Sequence, residues 1–167
     1  MHYTQLNSPL GSILIAADTA HLKGLWFEGQ KYEPDNLDGW ICNPDNPVLT
    51  TTAAQLHRYF AGQFNQSATD QTGAFNVNIA PNGTPFQQQV WQGLLTIPRG
   101  QTITYGELAS QLGKPSAVRA VAAAIGKNPI SIIIPCHRVV GANGSLTGYA
   151  GGLARKQSLL ELEQSDH

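Results

Sequence analysis

Over the first 27 residues, hydrophobic and polar positions alternate in three short runs. Tyr3 to Leu6, Ile13 to Ala17 and Leu22 to Phe27 are rich in β-formers, and Ser8-Pro9-Leu10-Gly11 and Asp18-Thr19-Ala20 separate them. The pattern predicts an antiparallel meander. From Glu28 to Pro47 the chain is polar and studded with Gly, Pro, Asn and Asp, with Trp40-Ile41-Cys42 as its only apolar knot, which predicts a long loop. Leu49, Ala53, Leu56, Tyr59 and Phe60 then recur at helical spacing over 48–62, with His57 on the border of the apolar face. Asn65 to Gly73 is polar and turn-rich, and Phe75 to Ile79 alternates as a strand does.

Ala80-Pro81-Asn82-Gly83 breaks the chain, and three helix starts follow it. Thr84-Pro85-Phe86-Gln87 offers an N-cap, a proline at the first helical position and a capping-box glutamine, with Phe86, Val90 and Leu94 as the buried face. Thr104-Tyr105-Gly106-Glu107 is a second capping box, opening a short helix that Gly113 closes. Pro115-Ser116 is the third start, for a helix to about Ile125. The last two helices have helix-turn-helix spacing. In the third, Val118, Val121, Ala122 and Ile125 form the predicted inward stripe, leaving Ser116, Arg119, Ala120 and Ala123 on the opposite face. One long cation stands there among small side chains.

Ile130 to Ile134 is an apolar run that reads as a buried strand, stopped by Pro135. Val139-Val140, the turn Asn143-Gly144 and Leu146 to Tyr149 predict a small hairpin, the wing of a winged helix. Gly148-Tyr149-Ala150-Gly151-Gly152 lacks dinucleotide-binding spacing and reads as a loop that lets backbone pass close to something. Leu153 to Glu163 predicts a final helix with Leu153, Leu160 and Leu159 inward. Glu163 is unfavourable for the dipole at the end of that helix, so it is either exposed or held by a polar partner. The expected fold is α+β: a small antiparallel-sheet unit with a helix over 1–80, then a winged helix-turn-helix unit over 81–167.

Composition adds charge asymmetry to this outline. Hydrophobic residues make up 41% and charged residues 13%, the balance of a globular protein and not of a disordered tail. Net charge is −1, but residues 1–84 hold three Lys/Arg against seven acids, whereas 85–167 hold seven against four. Only the second part is suited, modestly, to a phosphate backbone. No apolar run reaches membrane-spanning length and the first residues carry no leader pattern, so a cytosolic location is expected. Cys42 and Cys136 lie in no CxxC or Cys/His cluster; neither a disulfide framework nor a metal site is expected.

Chemistry is concentrated where the isoleucine run stops. Cys136, His137 and Arg138 set a thiol beside two groups able to hold positive charge, an arrangement that can support a nucleophilic thiolate. From the residues alone two other readings stay open: a winged-helix DNA-binding protein, such as a damage-sensing regulator, with an unreactive structural Cys136, and a cysteine hydrolase using Cys136 and His137. Adjacent residues make a poor nucleophile-base pair for the latter. Cys42 has no such setting and reads as a packed or idle thiol.

Pro135-Cys136-His137-Arg138-Val139, with Asn128-Pro129 before it and Gly148-Tyr149-Ala150-Gly151-Gly152-Leu153 after it, resembles the active-site signature of the O6-alkylguanine-DNA alkyltransferases. The likeness runs upstream through Phe86, Val90-Trp91, Ile97-Pro98, Thr104 to Ala109 and Arg119-Ala120-Val121, covering the second unit, while the first matches loosely. It implies a monomeric repair enzyme that takes a methyl or small alkyl group from O6 of guanine in double-stranded DNA onto Cys136, once per molecule and without cofactor, with O4 of thymine as a second candidate position. In that likeness Cys136 is the acceptor, His137 and Glu163 its relay, Tyr105 a donor to the purine ring, and Asn128 a brace for the active-site turn. Arg119 would enter the base stack, with Ser116, Ala117 and Ala120 beside it on the groove-facing helix. Tyr105, Val139, Tyr149, Ala150 and Gly151 would line the base pocket. The four-cysteine zinc module of two-part family members is absent, and the zinc ligands of some members have no counterpart beyond Cys42. On an extended backbone adjacent Cys136 and His137 side chains diverge, so a water would connect them, with Glu163 fixing the imidazole tautomer. Such a relay predicts a Cys136 pKa below the ordinary thiol value.

Overall fold

β1 (His2–Ser8), β2 (Gly11–Ala17) and β3 (Leu22–Phe27) form the predicted meander, β1 and β2 registering from His2 against Ala17 to Ser8 against Gly11. A two-residue strand inside the expected loop, β4 (Ile41–Cys42), pairs parallel with β1 and completes the order β3-β2-β1-β4. The apolar knot is thus a sheet edge, and Cys42 is exposed on it. The computed structural model describes residues 1–63 and 75–164; the turn-rich segment Asn65 to Gly73 lies outside the described residues.

One face of the sheet packs on α1 (Pro47–Phe60), whose N-cap Asn46 accepts from the Val48 and Leu49 amides. Leu49, Leu56 and Tyr59 are fully buried, as the helical spacing predicts, and His57 is exposed. Leu14, Ala16 and Trp26 form a smaller cluster with Trp40 and Tyr3. The open edge at β3 is used rather than left bare. Leu22 N donates to Asn78 O at 2.8 Å and Ala80 N to Leu22 O at 3.0 Å, so Phe75 to Ile79 joins the sheet through the single bridge Leu22–Ile79 instead of forming a strand. Further along the same edge, Leu25 N donates to Pro129 O and Ser131 N to Leu25 O, at 2.8 and 3.0 Å.

The helical part begins with α2 (Pro85–Leu94) and α3 (Tyr105–Gln111), both opened by the capping boxes read from Thr84/Gln87 and Thr104/Glu107. α4 (Val118–Gly126) starts later than predicted: Pro115-Ser116 is a turn, and Ala117 at the N-cap has no side chain to cap with. Its inward stripe is Val121, Ala124 and Ile125; Ala122, expected inward, is half-buried at the edge, while Arg119, Ala120 and Ala123 are exposed. Trp91 Nε1 donates to Ala124 O at 2.9 Å and fixes α4 on α2.

Two expectations fail here, the isoleucine run because buried apolar residues need packing, not necessarily strand pairing. Ile130 to Ile134 is a buried turn in which Ile132 takes φ 72°, a sterically costly value for a β-branched residue. The expected wing is a turn closed by Gly141 N donating to Ser145 O at 2.8 Å, and Leu146 to Tyr149 returns without strand pairing. Val139-Val140 instead is β6, pairing parallel with β5 (Ile103–Thr104). α5 (Leu153–Gln164) closes the chain with Lys156, Leu159 and Glu163 inward, and Leu153, expected inward, exposed.

Candidate active site

The turn that carries Cys136 is built by one carboxamide. Asn128 Nδ2 donates to Ile134 O at 2.8 Å and Asn128 Oδ1 accepts from Ile130 N at 2.9 Å, spanning the isoleucine turn from inside; the Leu25 bonds hold it from outside. A buried backbone that pairs with no strand requires such partners. Strain at Ile132 is therefore over-determined by its surroundings, a pattern common at functional sites. Beyond Pro135 the chain enters a 3-10 turn, Cys136–Arg138, so the condition of an extended backbone is not met, and all three side chains are buried.

His137, Arg138 and Tyr59 converge on one carboxylate. His137 Nε2 lies 2.7 Å from Glu163 Oε2, the Tyr59 hydroxyl donates to the same oxygen at 2.6 Å, and Arg138 donates through Nε to Oε1 at 2.8 Å and through Nη2 to Oε2 at 2.9 Å. Arg138 Nη1 also donates to Ile97 O at 2.7 Å. Glu163 thus has the polar partner that its place at the helix end required. Burial would raise its pKa, but the His137 and Arg138 contacts outweigh it and hold the carboxyl well below the usual range. Burial pushes the His137 pKa down against the pull of Glu163. A lowered pKa favours the neutral imidazole at pH 7, and a neutral ring that donates from Nε2 to Glu163 leaves Arg138 as the carboxylate's full counter-charge. That tautomer leaves Nδ1, buried and without a hydrogen-bonding partner among the described residues, as a bare acceptor.

Cys136 lies at the wall of a cavity of about 260 Å³. Tyr105, Gly148, Tyr149 and Ala150 line it from one side, Ala122, Ala123 and Ile125 of α4 from another, and Lys31 and Tyr32 from the segment after β3. The pairing of β5 with β6 explains how Tyr105 arrives: Thr104, its N-cap, sits opposite Val140, so the first residue of α3 is set beside the loop after Cys136. The Tyr105 hydroxyl donates to Thr147 O at 3.1 Å, and Lys156 Nζ donates to that carbonyl at 2.8 Å and to Gly148 O at 3.3 Å. Burial lowers the Lys156 pKa to about 8. A Cβ on Gly151 would come within 2.7 Å of the Tyr149 ring, so this glycine lets the ring sit where it does.

The thiol departs from expectation. Burial raises the Cys136 pKa above the ordinary value, with hydrogen bonding from Asn128 and the charge of Lys156 opposing it. A thiolate at rest is thus disfavoured, and its formation requires the proton to pass to a neighbour.

Of the residues read from the sequence, Cys136, Tyr105, Tyr149 and Ala150 come together at the cavity, with His137 and Glu163 behind it and Asn128 beneath the turn. Val139 is fully buried in β6 and Gly151 backs Tyr149; neither lines the cavity, and Gly148 does. Arg119, Ser116 and Ala120 are exposed and Ala117 is half-buried, at the start of α4. Lys156 and Tyr59 were missed, and Arg138, read as a cation beside the thiol, pairs with Glu163 instead. Lys156 and Glu163 are seven residues apart on the inward face of α5, a periodicity that counting apolar residues alone passes over. Among the described residues no group of three or more His, Cys, Asp or Glu could hold a metal ion, and no helix is long and apolar enough to cross a membrane.

Fold and site together define a helix-turn-helix protein of α+β class with one buried thiol facing a cavity beside its exposed arginine-bearing helix. The family model described as 6-O-methylguanine DNA methyltransferase, DNA binding domain, matches residues 85–165, and the model of the ribonuclease-like domain of the same enzymes matches residues 1–69. A methylated-DNA–protein-cysteine methyltransferase of Mycobacterium tuberculosis is 47% identical over 99% of this chain and 93% of its own length. One from Methanosarcina acetivorans is 46% identical over 99% of both chains. Among solved structures, that of Mycobacterium tuberculosis OGT in complex with DNA superposes with a TM-score of 0.88 at 44% identity, covering 99% of this chain and 94% of that one. The chain belongs to the 6-O-methylguanine DNA methyltransferase family.

Proposed function

We propose that this protein repairs DNA by direct, stoichiometric transfer of a methyl or small alkyl group from O6 of guanine to Cys136. The observation that carries the reading is the buried thiol at a cavity wall with a neutral His137, fixed by Glu163, immediately behind it. The thiol proton passes to His137 Nδ1, through a bridging water, and the thiolate attacks the alkyl carbon in line with the C–O6 bond. The S–C bond forms as the C–O6 bond breaks, and the electron pair leaves on the purine. The purine regains one proton from solvent, matching the one that the thiol gave up, so no cofactor is consumed. Tyr105 donates to the ring as that charge develops, leaving the Thr147 carbonyl to Lys156. The product is a thioether that water does not cleave, and Cys136 is spent after one event.

The target atom is inside the duplex, so the nucleotide must be turned out at a cost of roughly a few kcal/mol. Arg119, on the exposed face of α4 among small residues, fills the vacated stack and offsets part of that cost; Ser116, Ala117 and Ala120 let the helix approach the groove. Residues 81–167 carry the chemistry and DNA contact, and residues 1–80 form a supporting unit whose β3 edge pins the active-site turn. The protein acts as a monomer in the cytoplasm. Transfer from a duplex carrying labelled O6-methylguanine tests the reading: label on protein should plateau at one equivalent per molecule. Repeated turnover, or no transfer, would overturn it.

A further inference from the structure

The Tyr59 hydroxyl reaches the relay from the other part of the chain, 104 residues away in sequence, and donates at 2.6 Å to the same Glu163 oxygen that accepts from His137. Tyr59 is fully buried, and the ring alone would satisfy the apolar stripe of α1; a phenylalanine would fill the space against Phe60 and Phe75 as well. A buried hydroxyl placed on a carboxylate already held by Arg138 contributes something that packing does not require. We propose that Tyr59 is a positioning residue of the reaction: its hydrogen bond fixes the Glu163 carboxylate and sets how strongly that carboxylate pulls on the His137 Nε2 proton. This deepens the alkyl-transfer reading and rests on it.

Among the described residues, His137 and Arg138 from the 3-10 turn and Tyr59 from α1 bond the carboxylate, Tyr149 from the loop before α5 feels its charge, and Arg99 Nη1 donates at 3.5 Å to the backbone carbonyl of Glu163. Lys156 acts on His137 and Cys136 from α5, and Arg155 acts on Tyr149. Of the described donors to Oε2, the Tyr59 hydroxyl can be removed without touching the proton-accepting imidazole or the charge of Arg138. Its loss leaves, among the described residues, two donors on that oxygen, Nε2 of His137 and Nη2 of Arg138. The carboxylate is then a stronger acceptor, the imidazolium is better stabilised, and Nδ1 takes the thiol proton at lower pH.

The test is the pH profile of Cys136 alkylation by iodoacetamide, followed by peptide mass so that exposed Cys42 does not confuse it, in wild type, Tyr59→Phe, Glu163→Gln and the double variant. Tyr59→Phe should move the midpoint down by about half a pH unit, a shift well within what one buried hydrogen bond can produce. The same change in the Glu163→Gln background should move it by less than about 0.1 unit, because there is no carboxylate to act through. An unmoved midpoint in Tyr59→Phe with a lowered melting temperature would make the hydroxyl merely structural and overturn the proposal. So would an equal shift in both backgrounds. Failure of methyl transfer from DNA with these profiles intact would instead remove the alkyl-transfer reading.

Discussion

Replacing Glu163 by Gln removes the charge on which three side chains converge, and the structure sets the size of the loss. From the described residues the carboxylate accepts four hydrogen bonds, from Tyr59, His137 and twice from Arg138, at 2.6 to 2.9 Å. A carboxamide has one oxygen to offer. With that oxygen at the Oε2 position, its NH2 group faces Arg138 Nε, donor against donor, and the guanidinium, 1% exposed, keeps its charge without a counter-ion. Breaking a buried pair in this way costs about 3–5 kcal/mol. For a chain of this length each kcal/mol moves the melting temperature by about 2–4 °C, so Glu163→Gln should melt about 6–20 °C lower at pH 7. The sign with pH follows from the lowered Glu163 pKa: its stabilisation is fully present above the ordinary carboxylate value of 4.5 and is lost as pH falls below it toward the folded-state value. Thermal unfolding of both proteins from pH 7 to pH 3.5 should show the gap narrowing below about pH 4.5. A gap under about 1 kcal/mol at pH 7, or one that does not narrow in acid, would refute a charged, four-donor Glu163.

Asn128→Ala deletes both bonds that span the isoleucine turn and leaves Ile134 O and Ile130 N buried without that partner; a loss of about 2–4 kcal/mol in denaturant unfolding is expected, with slower Cys136 alkylation. Arg119→Ala, at an exposed position, should leave stability within about 0.5 kcal/mol while slowing repair in duplex far more than reaction with free O6-benzylguanine; equal losses would remove its role in base extrusion. The lowered His137 pKa adds stability that is present above its ordinary value of 6.5 and lost as pH falls, so wild-type melting should begin to decline below about pH 6.5, before the carboxylate effect sets in.

Much of the scaffold was legible because local signals agreed with the tertiary fold. Both capping boxes gave α2 and α3 their starts, and the β-rich runs gave the meander. Ser116 misled because a capping residue type does not guarantee a cap: the helix starts at Val118 with Ala117 before it. Ile130 to Ile134 misled more deeply. Its apolar run signals burial, but nothing within the run marks a turn: the bonds that make it one come from Asn128, named by the family likeness alone, and from Leu25 on a distant sheet edge. The proposed acceptor thiol, the histidine and the glutamate could be named from the family likeness, whereas Tyr59 read as a core aromatic of α1 and Arg138 as a neighbour in the motif. Their roles depend on a carboxylate distant in sequence, and no spacing rule reaches that far. The thiol's raised pKa is likewise a property of burial that the Cys-His-Arg run concealed.

In the proposed reaction Cys136 accepts the alkyl group. Intact-protein mass after incubation with duplex DNA carrying O6-methylguanine, followed by peptide mapping, tests it directly. The expected result is a gain of one CH2 per molecule, located on Cys136 and absent in Cys136→Ser. An unchanged mass, or a methyl group found on Cys42, would contradict it.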